Sequence, residues 1–241
     1  MITSLLERST LSCAEERSGD ATFLPTLSLT AGMSLTAGVV AVQGDVAEHA
    51  AAIERAAAAR GREVTVREIR ESGLVPDCDL LAMPGGESTT ISRLVHSEGI
   101  APEIRAHVEA GKPLLATCAG LIVASSDPND DRVEELGLLD VGVERNAFGR
   151  QRDSFEAPLA VDGLADDDPY PAVFIRAPAI DNVDGGDAAV LASWDGRPVA
   201  VKQGPVVGTA FHPELTPDSR IHGLAFFENE AATVPVLEDA Q

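Results

Sequence analysis

The apolar residues of this chain fall into short runs, separated by longer alanine-rich or amphipathic stretches. A short apolar run bounded by polar residues is typical of a buried strand, whereas a longer periodic stretch is typical of a helix. In the first half, this pattern predicts strands at residues 38–42, 63–68, 79–83 and 114–117, and helices at 46–60 and 89–96. Gly61 follows the first helix, where a glycine ordinarily ends one. Such alternation indicates an α/β fold with a parallel sheet.

The second half of the chain is richer in strand signals. Strands are predicted at residues 138–145, 154–161, 172–175, 189–194, 198–202 and 206–211, and a last helix at 219–230. Consecutive strands without intervening helices pair most simply in antiparallel fashion. The pattern therefore predicts an α/β fold with a mainly parallel sheet and an antiparallel extension.

Cys118 comes directly after the predicted strand at 114–117, and the small residues Ala119 and Gly120 follow it. Small residues allow a helix to begin at once, which gives the strand-to-helix turn that presents a nucleophile in other enzymes. Ala116 stands two positions before the cysteine, where that turn usually has glycine. The helix N-terminus would favour the thiolate over the thiol. Cys118 is thus a candidate nucleophile, although an isolated cysteine is more often a packing residue.

His212 and Glu214 lie two residues apart, with Pro213 between them. In an extended segment, side chains at this spacing project to the same side, and proline favours an extended conformation for the residue before it. Glu214 would then orient the imidazole of His212, as the third member does in other catalytic triads. Alone, His212 could be an ordinary histidine at a strand end; with Cys118, it predicts a Cys-His-Glu triad.

Two glycines, Gly85 and Gly86, follow the predicted strand at 79–83 and precede the helix at 89–96. Glycines at this place let backbone N–H groups approach a ligand closely, and open α/β sheets bind ligands at the carboxyl ends of their strands. A plain turn in which Glu87 or Ser88 caps the helix is the simpler interpretation of this segment alone.

Residues 117–121 and 211–215 resemble the two active-site motifs of class I, or triad, glutamine amidotransferases. Further segments are similar to those of one family in that class, the glutaminase subunit of pyridoxal 5′-phosphate synthase. They occur in the order of that family between about residue 38 and residue 224, and they are residues 42–44, 83–90, 137–139, 143–156 and 173–178.

The resemblance implies a three-layer fold with helices on both faces of the sheet. It also implies that Cys118 attacks the side-chain amide of glutamine with His212 as base, through a γ-glutamyl thioester. The implied oxyanion hole consists of the N–H groups of Gly86 and Ala119, with Gln43 supporting the loop. The implied glutamine-binding residues are Gly86, Glu87, Ser88, Arg145, Ile175 and Arg176.

The same resemblance implies a partner. Ammonia would pass to a TIM-barrel synthase subunit within a large cytoplasmic hetero-oligomer, and no cofactor or metal is expected on this chain. Two other functions stay open. The chain could serve a different synthase, such as the one that makes imidazole glycerol phosphate, although residues 154–156 and 174–178 argue against this. It could also be a non-catalytic regulator that kept the fold.

The two ends of the chain differ from the rest. Residues 1–32 are rich in Ser, Thr and Leu, have no clear periodicity and contain no long apolar segment of a signal peptide. We expect them to be a disordered leader, or to precede the true start of translation at Met33. Residues 33–230 would then form one glutaminase domain, followed by a loose tail at 231–241.

The net charge of −21 includes almost no lysine, because only Lys112 and Lys202 occur among the eighteen basic residues. Such a surface repels nucleic acid and anionic membranes. It also suits a cytoplasm with a high salt concentration, where salt screens the repulsion between carboxylates. Three cysteines without zinc-binding spacing argue against a disulfide scaffold or a metal site.

We therefore expect molar KCl to raise the midpoint of thermal unfolding, because screening removes repulsion within the compact state. The measurement is a melting curve at increasing KCl concentrations. A midpoint that is unchanged or lowered by salt would contradict adaptation to a saline cytoplasm.

Overall fold

The computed structural model describes residues 34–145, 147–148, 154–183 and 187–227. Within these residues, the main sheet has seven strands in the order β10-β11-β12-β4-β3-β1-β2. Its strands are β1 (Leu35–Val40), β2 (Val64–Ile69), β3 (Leu80–Met83), β4 (Leu114–Thr117), β10 (Ala189–Trp194), β11 (Arg197–Gln203) and β12 (Val206–Thr209). The block from β12 to β2 is parallel, and β11 and β10 extend it in antiparallel fashion. The predicted parallel sheet with an antiparallel extension is confirmed.

The helices lie in two groups. They are α1 (Val46–Ala58), α2 (Ser88–Ser97), α3 (Ala101–Glu109), α4 (Ala119–Ala124) and α5 (Arg220–Phe226). The chain passes from β1 through α1 to β2, and from β3 through α2 and α3 to β4, in opposite directions along the sheet. Because crossovers between parallel strands are right-handed, these opposite directions place α1 and the α2–α3 pair on opposite faces. In agreement, α1 contacts α5, whereas α2 contacts α3 and α4.

The remaining strands form two small sheets. One has the order β5-β6-β9, with β5 (Ser125–Asp127), β6 (Leu139–Glu144) and β9 (Ala179–Asp181). The other pairs β7 (Ser154–Leu159) with β8 (Tyr170–Ile175) in antiparallel register. In β8, buried positions alternate with exposed or half-buried ones, as expected for a strand with one face on the core.

The parallel strands β3 and β4 are buried at every residue, which is why their sequences read as unbroken apolar runs. Most predicted bounds agree with the structure within one or two residues, but the start of the first strand and the end of the last helix differ by more. The first strand begins at Leu35, not residue 38, and the last helix ends at Phe226, not residue 230. Strands β5 and β9 were not predicted. Helix α3, whose bounds were not predicted, begins with Pro102 in its first turn, where a proline is tolerated.

Several expectations fall outside the described residues. These include the leader at 1–32, the tail at 231–241 and parts of the 143–156 segment. Among the described residues, no helix combines the length and apolar character needed to cross a bilayer.

Candidate active site

The candidate residues meet at one edge of the main sheet. Gln43 follows β1, Gly86 follows β3, Cys118 follows β4 and His212 follows β12. These four strands are parallel neighbours, so their carboxyl ends reach the same edge, including the point where the strand order reverses between β1 and β3. A cavity of about 450 Å³ opens there, lined by Cys118, His212 and the other predicted site residues, which are Gln43, Gly86, Glu87, Ser88, Ala119, Arg145, Ile175 and Arg176.

Cys118 occupies a strained turn between β4 and α4. Its backbone has φ 48° and ψ −106°, a region that residues other than glycine rarely adopt. The Cys118 N–H donates to the Thr209 carbonyl at 2.8 Å, which ties the turn to β12. Gly120 allows α4 to pack closely, since a Cβ there would lie 2.2 Å from the Met83 carbonyl oxygen. The predicted strand-to-helix turn is present, and Ala116 in place of glycine does not prevent it.

His212 and Glu214 form the predicted pair. The His212 Nδ1 lies 2.6 Å from the Glu214 Oε1, and both side chains are buried. The prediction that an extended segment brings these two side chains together was wrong, because Pro213–Leu215 is a 3₁₀ turn. His212 itself stays near the extended region, with φ −104° and ψ 87°, as a residue before proline should. The turn then brings the carboxylate back to the imidazole.

The buried Tyr170 forms hydrogen bonds with the backbone around this turn. Its hydroxyl contacts the carbonyls of Pro213 at 3.3 Å and Asp218 at 3.2 Å, and the Thr216 Oγ1 at 3.2 Å. Burial raises the pKa of Tyr170 well above its ordinary value, so the phenol keeps its proton and can donate. The backbone that carries Glu214 is therefore fixed by a buried donor on β8.

The electrostatics favour a protonated His212 beside an ionised Glu214. Burial lowers the pKa of His212, but the hydrogen bonds and charges of Cys118 and Glu214 outweigh it and raise this pKa to about 10. Burial raises the pKa of Glu214, yet the neighbouring His49 and the bond to His212 outweigh burial and lower it overall. An imidazole that is protonated at neutral pH can hold a thiolate beside it and later give a proton to a leaving group.

The glycine loop approaches the reactive groups closely. A Cβ on Gly85 would lie 2.6 Å from the His212 Cε1 and 3.3 Å from the Cys118 Cβ, so only glycine fits. Gly86 has φ +141°, in the region that favours glycine. The Gln43 side-chain oxygen accepts the Glu87 N–H at 3.1 Å, which joins the end of β1 to this loop.

Glu87 and Ser88 begin helix α2. The Glu87 carboxylate accepts the N–H groups of Thr89 at 3.3 Å and Thr90 at 2.8 Å, which is a helix N-cap. The side-chain hydrogen bond from Thr89, together with those from Thr90, lowers the pKa of Glu87 to about 2 despite some desolvation. The Ser88 hydroxyl is buried and has no hydrogen-bond partner among the described residues. Because Ser88 lines the cavity, this hydroxyl is free to bond a ligand.

The two arginines enter the cavity from the smaller sheets. Arg145 follows β6, pairs with the Asp130 carboxylate and lies 3.7 Å from the Glu87 Oε1. Arg176 follows β8 with φ 42°, and its exposed neighbour Ile175 ends that strand. Acidic residues therefore hold the Arg145 guanidinium, whereas Arg176 stands on a strained turn beside the cavity.

Sequence reasoning missed several residues of this site. Asp45 lines the cavity and lies 3.6 Å from the His212 Nδ1, while Ile122 and Pro178 add apolar surface. Asp45 stands next to Gln43–Gly44 at the carboxyl end of β1, and this position was the signal available. His49 lies behind Glu214, with its Nε2 3.3 Å from the Glu214 Oε2.

Asp45, His212 and Glu214 each offer a ligand atom within 4.8 Å of the others, which is close enough for a metal ion. However, the His212 Nδ1 and the Glu214 Oε1 already bond each other at 2.6 Å. A cation would have to displace this bond, so the donor set fits a catalytic pair better than a metal site.

Comparisons with known proteins agree with this geometry. Pyridoxal 5′-phosphate synthase subunit PdxT from Halobacterium salinarum is 74% identical over 170 residues, which cover 70% of this chain and 82% of that protein. PdxT from Haloarcula marismortui is 71% identical over 172 residues, or 71% and 86% of the two chains.

A solved structure described as a glutamine amidotransferase superposes with a TM-score of 0.66 at 42% identity, covering 78% of this chain and 98% of that one. The two PdxT subunits come from halophilic archaea, in agreement with the adaptation to high salt that the acidic composition of this chain predicts. The SNO glutamine amidotransferase family matches residues 39–231. With the cavity at the expected sheet edge, these similarities establish that the chain belongs to the SNO glutamine amidotransferase family.

Proposed function

We propose that this chain hydrolyses L-glutamine to L-glutamate and ammonia, as the glutaminase subunit of a pyridoxal 5′-phosphate synthase. The observation that carries the proposal is that Cys118, on its strained turn, and His212 line one cavity, and that the His212 imidazole is bonded to the buried Glu214 behind it. Membership of the SNO glutamine amidotransferase family and the similarity to PdxT subunits of pyridoxal 5′-phosphate synthase support it.

The reaction follows from the roles of these groups. The Cys118 thiolate attacks the side-chain carbonyl carbon of glutamine, and the carbonyl electrons move onto the oxygen. His212 gives its proton to the amide nitrogen, and ammonia leaves as the γ-glutamyl thioester forms. His212 then takes a proton from water, whose oxygen attacks the thioester. The C–S bond breaks, and glutamate and the Cys118 thiolate are released.

The oxyanion of each tetrahedral intermediate needs donors that are fixed in advance. We assign this role to the N–H groups of Gly86 and Ala119. Gln43 supports the first donor, since its bond to the Glu87 N–H holds the glycine loop in place. A removed oxyanion donor typically costs about 3–4 kcal/mol of transition-state stabilisation.

The rest of the cavity fits the two charged groups of glutamine. Arg145 and Arg176 supply positive charge for the α-carboxylate. Asp45 and Glu87 supply negative charge for the α-ammonium group, and the unpartnered Ser88 hydroxyl adds a neutral bond. The Ile175–Arg176 segment closes one side of the pocket.

Ammonia is the product that requires a partner. We propose that it passes to a TIM-barrel synthase subunit in a large cytoplasmic hetero-oligomer, and that the free glutaminase is weakly active. The names of the relatives favour this partner over imidazole glycerol phosphate synthase. A complete set of triad side chains favours an enzyme over a non-catalytic regulator.

The test is to trap the thioester. The complex with the synthase is mixed with glutamine in molar KCl and quenched with acid, and the mass of this chain is then measured. We expect a γ-glutamyl adduct that peptide mapping locates on Cys118. An active wild-type enzyme without any adduct on Cys118, or with the adduct on another residue, would contradict the proposal.

A further inference from the structure

A buried line of histidines continues the triad into the protein interior. His49 on α1 and His222 on α5 are both fully buried, and the His222 Nε2 lies 3.4 Å from the His49 Nδ1. On its other side, the His49 Nε2 lies 3.1 Å from the Thr117 Oγ1 and 3.3 Å from the Glu214 Oε2. Thr117 is the residue before Cys118, so His49 contacts both halves of the site.

The second oxygen of Glu214 explains why such a neighbour is needed. The Oε1 is bonded to His212, but the Oε2 is buried and has no hydrogen bond of good geometry among the described residues. A buried carboxylate oxygen without compensation is costly. The His49 Nε2 is near enough to place its N–H between the Thr117 hydroxyl and this oxygen.

The position of the carboxylate also selects the tautomer of His49. A proton on Nε2 faces Glu214 favourably, whereas a bare lone pair there would face a negative oxygen. Burial lowers the pKa of His49, with His212 acting in the same direction, and this outweighs the opposite effects of Glu214, Asp45 and Glu48. Burial also lowers the pKa of His222 well below its ordinary value, helped by His49 and Arg55. Burial therefore favours the neutral form of both rings, in which each carries one proton.

The geometry points to His49 as a positioning residue, whose Nε2–H, set by a hydrogen bond from His222 to the His49 Nδ1, holds Glu214 on His212. The hydrogen bonds then run in one direction. His222 Nε2–H donates to His49 Nδ1, and His49 Nε2–H faces Thr117 and the Glu214 Oε2. The Glu214 Oε1 accepts the His212 Nδ1–H, which leaves the His212 Nε2 for the proton transfers. This inference rests on the proposed function.

Asp45 is a second carboxylate near His212 and could compete with Glu214 for its imidazole. It is half-exposed and lies 3.6 Å from the same His212 Nδ1, on the cavity side. Without support for Glu214, the imidazole could turn toward Asp45 and away from Cys118. We infer that His49 biases this competition toward the buried carboxylate.

The variant that tests the role is His49→Leu, which keeps the volume and removes the donor, and His49→Gln restores an amide donor near the Nε2 position. In the complex with the synthase, we expect His49→Leu to reduce kcat roughly tenfold to a hundredfold, with KM for glutamine changed by less than about threefold. His49→Gln should recover most of the lost kcat. The control is His107→Leu, a buried histidine on α3 that bonds the Pro113 carbonyl at 3.1 Å and should keep kcat.

A wild-type kcat in His49→Leu, or an equal loss in His49→Gln, would overturn the inference while leaving the glutaminase function intact. The ¹⁵N chemical shifts of histidine-labelled wild-type protein give a readout that depends neither on activity nor on the folding of a variant. We expect a neutral His49 with the proton on Nε2. A proton on Nδ1, or a charged ring at pH 7, would overturn the inference even if the enzyme is active. An inactive wild type with the expected His49 tautomer would instead remove the proposed function alone.

Discussion

Replacing Cys118 with alanine is expected to reduce glutamate release by at least about 10⁵-fold, the scale on which loss of a catalytic nucleophile acts. Alanine cannot form the thioester, and the remaining oxyanion donors accelerate only attack by water. The loss should appear in kcat, because the glutamine pocket is still present. The measurement is glutamate release in molar KCl with the synthase present.

The chain offers a matched control in Cys78. This second buried thiol contacts the Leu74 carbonyl at 3.4 Å, far along the chain from the triad motifs, and burial raises the pKa of its thiol. Cys78→Ala should therefore lower stability through lost packing while keeping kcat. Equal activity in Cys118→Ala and the wild type would remove the thioester mechanism.

Replacing Glu214 with glutamine is expected to lower kcat by about 10³- to 10⁴-fold, as in other triads whose third member loses its charge. The amide can present its NH₂ group to the His212 Nδ1 and so stabilise the wrong tautomer. It also removes the negative charge that raises the pKa of the imidazole. Steady-state kinetics with the synthase measure this loss.

Asp45 provides the comparison for this variant, because its carboxylate lies 3.6 Å from the same nitrogen. Asp45→Asn should reduce kcat far less than Glu214→Gln, and any loss should fall mainly on KM for glutamine. A larger loss of kcat in Asp45→Asn than in Glu214→Gln would mean that Asp45, and not Glu214, orients His212.

Much of the fold could be predicted because local pattern and environment agree. Strand β4 has the predicted bounds because an unbroken apolar run marks a buried strand. Strand β10 also has the predicted bounds, and Gly196 allows a tight turn after its last residue, Trp194. The start of β1 was less accurate. Hydrogen bonding with neighbouring strands decides where each strand ends, and a single sequence does not contain that information.

The candidate site shows a similar division. Motifs identified the residues at the strand ends because each motif is continuous in sequence. The Pro213–Leu215 turn was missed because its conformation depends on Tyr170, which is far away in the chain. His49 and Asp130 were missed for the same reason, because their contacts with Glu214 and Arg145 arise only in the folded chain.

The most direct test of the account is glutamate release from glutamine in molar KCl, measured for the wild type and Cys118→Ala, each with and without the synthase. We predict substantial activity only when the wild-type chain and the synthase are both present. Activity that depends on Cys118 but not on this synthase would contradict the assigned partner. Activity that persists in Cys118→Ala, or none with the wild type in any condition, would contradict the account at its centre.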